Sequence, residues 1–378
     1  MAEPYTPKPK HHGAPPPLAQ YLTDYGLRHV EDSYFHENLF HESLSIDEDF
    51  PDILVRSCSS RSVGAGIVNL INTCYMAAIL QCLTHTGPLF RALRYSDHNT
   101  PCHESGFCVI CAFRDHNDEA IELSRCPIYP STFLENVKYF SAAFIPYILG
   151  DAHEFMICAL NKLQDAFPEG QNNPIDQIFG GRTITKLRCC SCGFSSDTIV
   201  PILDLRLAVE NLSTVQRALE SYFMIENMDA KFKCSSCDQQ VYMAKQLLID
   251  KAPGIAVLQL KRFKCDGEKI ESHVSFAMDL DLEPYTSPKC REHDAILMYD
   301  LYAVVVHRGS TAKSGHYFSY VRSDENTWHL MDDSEVCRVS IDEVLSQQAY
   351  LLFYAKHGTP WFSSVETEER DLKPEGFW

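Results

Sequence analysis

The chain has 378 residues, of which 45% are hydrophobic, and a formal net charge of −18 at pH 7. This length and composition allow a sizeable core in one large domain or two. The negative charge argues against binding nucleic acid through a basic surface. The sequence has no apolar run of about 18 residues or more, so it predicts no membrane span.

Residues 1–60 are predicted to form an N-terminal extension that is partly disordered. Residues 1–20 are rich in proline and lysine, a composition that buries too little apolar surface to fold. This polar start lacks the pattern of a secretory signal peptide. We therefore expect reduced thiols and an intracellular protein, in the cytoplasm or the nucleus. Residues 357–378 are predicted to be a charged tail.

Residues 62–356 carry the patterns of a folded domain. Apolar residues recur at helical spacing over 74–95 and over 130–168. From Ile178 onwards the pattern changes to short runs rich in β-branched and aromatic residues, which predict strands, with one helix over 214–225. Helices first and strands later predict an α+β fold.

Three short motifs contain the residues needed for thiol-dependent acyl transfer. They read Asn69-Leu-Ile-Asn-Thr-Cys74-Tyr-Met, Ser314-Gly-His316-Tyr-Phe and Trp328-His-Leu-Met-Asp332-Asp333. A thiolate attacks acyl carbons well, an imidazole can take the thiol proton, and a carboxylate can hold the imidazole in the required tautomer. Alone, Cys74 could be a buried core thiol and His316 a structural histidine. The three motifs together favour catalysis.

Two Cys-x-x-Cys pairs predict a structural zinc site. They are Cys189 with Cys192, and Cys234 with Cys237. Four thiolates complete the tetrahedral coordination that Zn²⁺ prefers, and Cys190 is interpreted as a bystander. The alternative is two reduced turns without metal. No organic cofactor is expected.

A candidate second metal site consists of Cys102, Cys108 and Cys111. Cys108 and Cys111 have the spacing of a zinc knuckle, but adjacent Cys102 and His103 rarely bind one ion together. The histidines left open as a fourth ligand are His85, His98 and His116. The alternative is that the cysteines are buried or surface thiols.

The motifs around Cys74, His316 and Asp332 resemble those of the ubiquitin-specific protease family, which are deubiquitinases of the papain-like cysteine protease superfamily. The resemblance covers residues 62–356. It implies a fold like a right hand, with a helical thumb, a β-rich palm and zinc-tipped β fingers. It also implies that Cys74 is the nucleophile, His316 the base and Asp332 its orienting residue, and that Asn69 helps to stabilise the oxyanion. Asp333 stays open as the orienting carboxylate.

The resemblance further implies hydrolysis of the peptide or isopeptide bond after the C-terminal glycine of ubiquitin, with ubiquitin and ubiquitinated proteins as partners. Asp151 and Glu154 match family acids that meet the basic ubiquitin tail, and Tyr317 is assigned to substrate binding as well. The alternative for the two acids is a structural role at a helix N-terminus, where the dipole favours negative charge. The sequence leaves the oligomeric state open.

Some positions depart from the family pattern. Ile71 stands where Gly is usual, Ala77-Ala78 where Asn-Ser is usual, and Leu149-Gly150 where polar residues are usual. A β-branched residue resists positive φ, so Ile71 is the departure with the clearest physical consequence. These positions keep a second hypothesis open, a ubiquitin-binding adaptor with impaired catalysis. A papain-like peptidase acting on ordinary peptides is a third, and the zinc pattern argues against it.

Overall fold

The computed structural model describes residues 63–360, apart from 97, 99–101, 103, 105, 124–125, 168–172, 265–266 and 313. The predicted extension over residues 1–60 and most of the predicted tail over 357–378 lie outside the described residues. The same is true of His103.

Helices dominate the first part of the described chain and strands the second. The α-helices are α1 (Cys74–Thr84), α2 (Gly87–Arg94), α3 (Val109–Glu122), α4 (Ser131–Glu135), α5 (Val137–Phe140), α6 (Ala152–Ala166), α7 (Pro174–Ile178), α8 (Val215–Tyr222), α9 (Pro288–His293) and α10 (Ile341–Leu345), with a 3₁₀ turn at Glu283–Tyr285. The strands are β1 (Gly181–Cys189), β2 (Ser195–Ile202), β3 (Leu205–Ala208), β4 (Glu226–Lys233), β5 (Gln240–Lys251), β6 (Ile255–Lys261), β7 (Asp279–Asp281), β8 (Met298–Thr311), β9 (Ser314–Asp324), β10 (Thr327–Asp332), β11 (Glu335–Val339) and β12 (Ala349–Lys356). The α+β prediction is confirmed.

The strands form two sheets. The smaller has the order β2-β1-β5-β4 and is antiparallel throughout. The larger has the order β11-β10-β9-β8-β12-β6-β3, with β7 paired to β8, and its one parallel pair is β3 with β6. The helices, the larger sheet and the smaller sheet correspond to the predicted thumb, palm and fingers.

Both faces of the palm sheet are covered. Along β12, Leu351 and Phe353 pack into one core cluster together with the helices of the thumb, whereas Leu352 and Tyr354 pack into a second cluster on the opposite face. Successive side chains of a strand point to opposite faces, so a strand buried on both sides reads as a continuous apolar run.

Helix α1 is buried along its entire length, from Cys74 to Thr84. A helix that is apolar on all sides lies either in a protein core or in a membrane. Here α1 lies between α6 and the palm strand β9. Among the described residues, no helix combines the length and apolarity that crossing a membrane requires.

The prediction of helix over 130–168 is wrong for residues 141–150, which form turns between α5 and α6. Pro146 disfavours helical backbone at the residue before it, and Tyr147 has a φ of 65°. A Cβ on Gly150 would lie 2.8 Å from the ring of Tyr75 on α1. Close approach to α1 therefore accounts for glycine at this departure from the family pattern.

Candidate active site and metal-ligand clusters

Cys74 is the first residue of α1 and is buried, with 2% of its surface exposed. The backbone N–H of Tyr317 donates to its sulfur at 3.5 Å. The N–H groups and the dipole at a helix N-terminus favour negative charge on a group placed there. Because Tyr317 directly follows His316, strand β9 brings the candidate base to the thiol.

His316 lies at the start of β9, and Asp332 ends the neighbouring antiparallel strand β10. The His316 Nε2 and Asp332 Oδ1 atoms are 2.5 Å apart. Since Nε2 is bonded to the carboxylate, Nδ1 is the ring nitrogen left for Cys74. The neighbouring Cys74 thiol, opposed by burial and reinforced by Asp332, raises the pKa of His316 to about 9. A charged imidazole at neutral pH is a suitable partner for a thiolate.

Asn69 lies in the loop before α1, and its side-chain amide is bonded at both ends. The Nδ2 atom donates to Asp333 Oδ2 at 3.0 Å, and the Oδ1 atom accepts from the Thr73 backbone N–H at 3.0 Å. The backbone carbonyl of Asp333 also accepts from Ile67 N–H at 2.8 Å. The Asn69 loop is therefore fixed to the end of β10.

The two neighbouring carboxylates have different partners. Asp332 is bonded to His316, whereas the nearest oxygen of Asp333 is 3.9 Å from His316 Nε2 and accepts from Asn69 instead. Burial raises the pKa of Asp333. The sequence left open which carboxylate faces the imidazole, and a role for Asp333 in positioning Asn69 was not foreseen.

Ile71 and Asn72, just before Cys74, both have left-handed backbone, with φ values of 58° and 59°. The Ile71 side chain is 42% exposed, so no core packing compensates for this conformation. The side-chain amide of Asn72 donates to the carbonyl of Tyr147 at 3.0 Å. A β-branched residue in this region is strained, which explains why glycine suits position 71.

Asp151 caps the N-terminus of α6, because its Oδ1 accepts from the backbone N–H of Glu154 at 2.9 Å. Its Oδ2 accepts from Tyr350 Oη at 2.6 Å and from Tyr317 Oη at 3.3 Å. Tyr317 is itself buried, whereas Glu154 is exposed in the first turn of α6. Of the three predicted substrate-binding residues, Asp151 and Tyr317 are thus bonded to each other, and Glu154 faces solvent.

His307 is a buried residue close to His316, and the sequence motifs did not point to it. It pairs with Tyr317 across β8 and β9, with ring centroids 4.6 Å apart. Burial, and then the charge of Lys269, lowers the pKa of His307 to about 4. Within the described part of the chain, neither ring nitrogen has a hydrogen-bond partner. A Cβ on Gly315 would lie 2.4 Å from His307 Nε2, so this packing requires glycine directly before His316.

The four cysteines of the predicted zinc site come together at the tip of the smaller sheet. We call them the fingers cluster, and they are Cys189, Cys192, Cys234 and Cys237. Their sulfur atoms all lie within 4.8 Å of one another, and the Cys192 and Cys234 sulfurs are 3.8 Å apart. Backbone N–H groups of Cys192 and Ser236 point at the Cys189 and Cys234 sulfurs, both at 3.4 Å. This donor set and spacing could hold one zinc ion.

The three cysteines of the candidate second site also converge, and the structure adds a histidine to them. We call this set the thumb cluster, and it consists of His98, Cys102, Cys108 and Cys111, with ligand atoms within 4.8 Å of one another. Of the three histidines that the sequence left open, His98 joins the cysteines, and His85 and His116 do not.

The sequence is similar to those of known ubiquitin carboxyl-terminal hydrolases. The family model described as ubiquitin carboxyl-terminal hydrolase matches residues 65–354. Ubiquitin carboxyl-terminal hydrolase 20 of Arabidopsis thaliana is 43% identical over 319 residues, which are 82% of this chain and 46% of the relative. Ubiquitin carboxyl-terminal hydrolase 17-like protein 13 of Homo sapiens is 36% identical over 83% of this chain and 59% of the relative. The chain thus spans roughly half the length of curated relatives it matches.

Solved structures agree in fold. The SAGA Ubp8/Sgf11/Sus1/Sgf73 DUB module bound to ubiquitin aldehyde matches with a TM-score of 0.71 and 28% identity, over 81% of this chain and 72% of that chain. A structure of the SAGA DUB module bound to monoubiquitin also has a TM-score of 0.71 and 28% identity, over 79% and 70% of the two chains. The predicted hand-like fold is therefore confirmed. The extent of the family match and the identity to these relatives establish that the chain belongs to the ubiquitin carboxyl-terminal hydrolase family, as its resemblance to the ubiquitin-specific proteases implied.

Proposed function

We propose that this chain is a cysteine-type deubiquitinase that hydrolyses the peptide or isopeptide bond after the C-terminal glycine of ubiquitin. The observation that carries the proposal is the position of Cys74 at a helix N-terminus beside His316, which is in turn bonded to Asp332 at 2.5 Å. Family membership supplies the substrate class, and the solved relatives bound to ubiquitin aldehyde and to monoubiquitin support it.

In the proposed reaction, the Cys74 thiolate attacks the carbonyl carbon of the terminal glycine. The charged His316 gives its proton to the nitrogen of the leaving amine as the carbon–nitrogen bond breaks, which leaves a thioester. A water molecule then attacks the thioester carbonyl while His316 takes a proton from it. The carbon–sulfur bond breaks and Cys74 returns to the thiolate, while the new carboxylic acid gives its remaining proton to solvent and leaves as the ubiquitin carboxylate. Asp332 keeps the imidazole in the orientation that both steps need.

Asn69 is the proposed donor to the oxyanion of the two tetrahedral intermediates. An amide NH₂ group has two hydrogens, and the bond to Asp333 uses one of them. The bond from Thr73 to the amide oxygen fixes the plane of the group. A single preorganised donor of this kind is typically worth about 2.7–4 kcal/mol of transition-state stabilisation.

The basic tail of ubiquitin is the proposed ligand of the acids at the start of α6. The exposed Glu154 is placed to meet it directly. Asp151 is engaged with the helix N-terminus and with Tyr317 and Tyr350, so we assign it to shaping the substrate site next to Tyr317. This assignment revises the expectation that both acids act alike.

The fingers cluster is proposed to hold a structural zinc ion. Its four thiolates would fill the tetrahedron and leave no position for a water molecule, so the ion would stabilise the fold and take no part in the chemistry. Free thiols in both clusters also support the proposal of a reducing, intracellular location.

The hypothesis of an adaptor with impaired catalysis has no observation in its favour. Ile71 is strained, but the His316–Asp332 bond and the approach of β9 to Cys74 are formed despite it. Ala77 and Ala78 are buried, so the apolar residues suit their surroundings.

Steady-state cleavage of a fluorogenic ubiquitin C-terminal reporter tests the proposal. Cys74→Ala should abolish turnover and retain ubiquitin binding. Cys82→Ala, which removes another buried thiol from the same helix, should retain turnover. A ubiquitin probe with a C-terminal electrophile should label Cys74 alone among the 16 cysteines. Turnover or labelling of Cys74→Ala at the wild-type level would refute the assignment.

A further inference from the structure

The thumb cluster has the geometry of a metal site that is separate from the fingers. His98 Nε2 lies 3.3 Å from the sulfur of Cys111 and 3.3 Å from the sulfur of Cys108. The Cys102 sulfur completes a group of four atoms that are all within 4.8 Å of one another. All three cysteines are free thiols, and all four residues are half-buried.

These separations agree with a tetrahedron around one ion. With zinc–sulfur distances of about 2.3 Å and a zinc–nitrogen distance of about 2.0–2.1 Å, ligand atoms lie roughly 3.5–3.8 Å apart. The two His98 contacts of 3.3 Å fall close to that range, as does the 3.8 Å sulfur pair of the fingers cluster. One histidine and three cysteines are a set that structural zinc sites use.

The surrounding helices hold the ligands in place. Arg114 on α3 donates to the carbonyl of Leu93 at 3.1 Å and to the Ser96 hydroxyl at 2.7 Å, and thereby joins α3 to the end of α2 just before His98. Phe107, directly before Cys108, packs against Tyr139 with ring centroids 4.9 Å apart. His98 is thus presented to the first turn of α3 by contacts that do not depend on a metal.

The other described histidines of this region are engaged elsewhere. His85 is buried, and its two ring nitrogens lie 2.8 Å and 2.9 Å from the carbonyls of Gln81 and Val63. His116 is buried on α3, with its ring 5.6 Å from that of Phe133. Neither can reach the cysteines without breaking the core, which leaves His98 as the nitrogen ligand.

We infer that His98, Cys102, Cys108 and Cys111 bind a second structural zinc ion, which fixes the connection between α2 and α3 in the thumb. Among its described residues, the connection contributes few apolar side chains to the core beyond Phe107 and Cys108. A metal that links both of its ends would supply the stability that hydrophobic burial does not. Four protein ligands leave no open position, so the site has no catalytic role.

Metal analysis of the full chain, purified without a histidine tag and under reducing conditions, tests the inference. We expect two zinc ions per wild-type chain and one in each of His98→Ala and Cys111→Ser. Two matched controls should keep both ions. They are His103→Ala, which changes the neighbour of Cys102 in sequence, and Cys126→Ser, which changes an exposed thiol outside the clusters. Cys189→Ser should also keep one ion, that of the thumb, so the two sites are measured separately.

X-ray absorption at the zinc edge identifies the ligands of the ion that remains in the Cys189→Ser protein. It should show three sulfur ligands at about 2.3 Å and one nitrogen ligand at about 2.0–2.1 Å. An all-sulfur signal from this variant, a wild-type chain with a single ion that disappears in Cys189→Ser, or two ions in His98→Ala would each overturn the inference. So would a disulfide among the three cysteines in reduced, metal-replete protein.

Discussion

Asn69 and Asp333 are joined by a hydrogen bond of 3.0 Å, from the side-chain amide to the carboxylate. The two neighbouring aspartates therefore support two different parts of the proposed mechanism. Asp332 orients the base, and Asp333 orients the oxyanion donor.

This division predicts different kinetics for the two positions. Asp333→Ala should lower kcat about tenfold to a hundredfold with little change in KM, because a loosened donor loses transition-state stabilisation only. Asp333→Asn should retain most activity, since an amide oxygen also accepts from Asn69. Asp332→Asn should lose on the order of 10³–10⁴ in kcat, because an amide can favour the wrong imidazole tautomer. Equal losses in Asp333→Ala and Asp333→Asn would contradict the positioning role.

The raised pKa of His316 predicts how stability depends on pH. The pKa of His316 is about 9 in the folded protein. A histidine in an unfolded chain has a pKa of about 6.5. The folded state therefore favours the charged form. The contribution of His316 to the free energy of unfolding is fully present below pH ~6.5 and is lost as the pH rises to about 9.

The measurement is the unfolding midpoint of the wild type and of His316→Asn, from about pH 6 to about pH 9.5. The wild type should be the more stable at the lower pH, and the difference should shrink as pH rises. Turnover should fall in the same range, because a neutral imidazole cannot protonate the leaving amine. A difference in stability that stays constant with pH would contradict the assigned pKa.

Much of the site is predictable from sequence because local motifs specify local chemistry. The Cys74, His316 and Asp332 motifs and the two Cys-x-x-Cys pairs converge as their residue types predict. What the sequence could not give depends on tertiary packing. Which aspartate faces the imidazole is decided by the turn after β10, where Asp333 has a φ of 52°.

Two further features depend on contacts between distant segments. The choice of His98 over His85 requires knowing that His85 is bonded within the core. The burial of His307 follows from its pairing with Tyr317 on the next strand. The run of valines before His307 indicates a buried strand. The sequence does not indicate which residue the imidazole ring of His307 will contact.

The left-handed backbone at Ile71 predicts a stabilising substitution. Left-handed φ costs a side-chain-bearing residue about 1–2 kcal/mol, and glycine avoids that cost while losing roughly 0.5–1 kcal/mol of backbone entropy. Ile71→Gly should therefore raise the free energy of unfolding by up to about 1.5 kcal/mol. Because His316 and Asp332 are already bonded, kcat/KM should change little. Leu70→Gly, at a neighbour without positive φ, should be destabilising, and equal effects of the two changes would contradict the strain argument.

The burial of Ala77 predicts that restoring the usual family residue is harmful. Ala77 is 3% exposed on a helix that is buried throughout. An amide placed there without partners costs about 1–3 kcal/mol. Ala77→Asn should lower the free energy of unfolding by that amount in chemical denaturation. Ala166→Asn, at the exposed end of α6, should change it by less than about 0.5 kcal/mol. If Ala77→Asn left the free energy of unfolding unchanged, the core would hold a hydrogen-bond partner for the new amide.

Loss of the proposed fingers zinc should affect substrate binding more than chemistry. Strands β2 and β4, the edges of the smaller sheet, are almost entirely exposed, and the apolar cluster beside the fingers cysteines is small. A metal that closes two adjacent turns would therefore be a main source of local stability.

Cys192→Ser should remove one zinc ion per chain, make the fingers sensitive to limited proteolysis, and raise KM for a ubiquitin reporter more than it lowers kcat. The matched control is Cys190→Ser, because Cys190 is exposed in the same turn and lies outside the cluster. It should keep the wild-type metal content and kinetics. If both variants lost the same amount of zinc, or if Cys192→Ser lowered kcat with KM unchanged, the fingers cluster would not have the separate structural role proposed here.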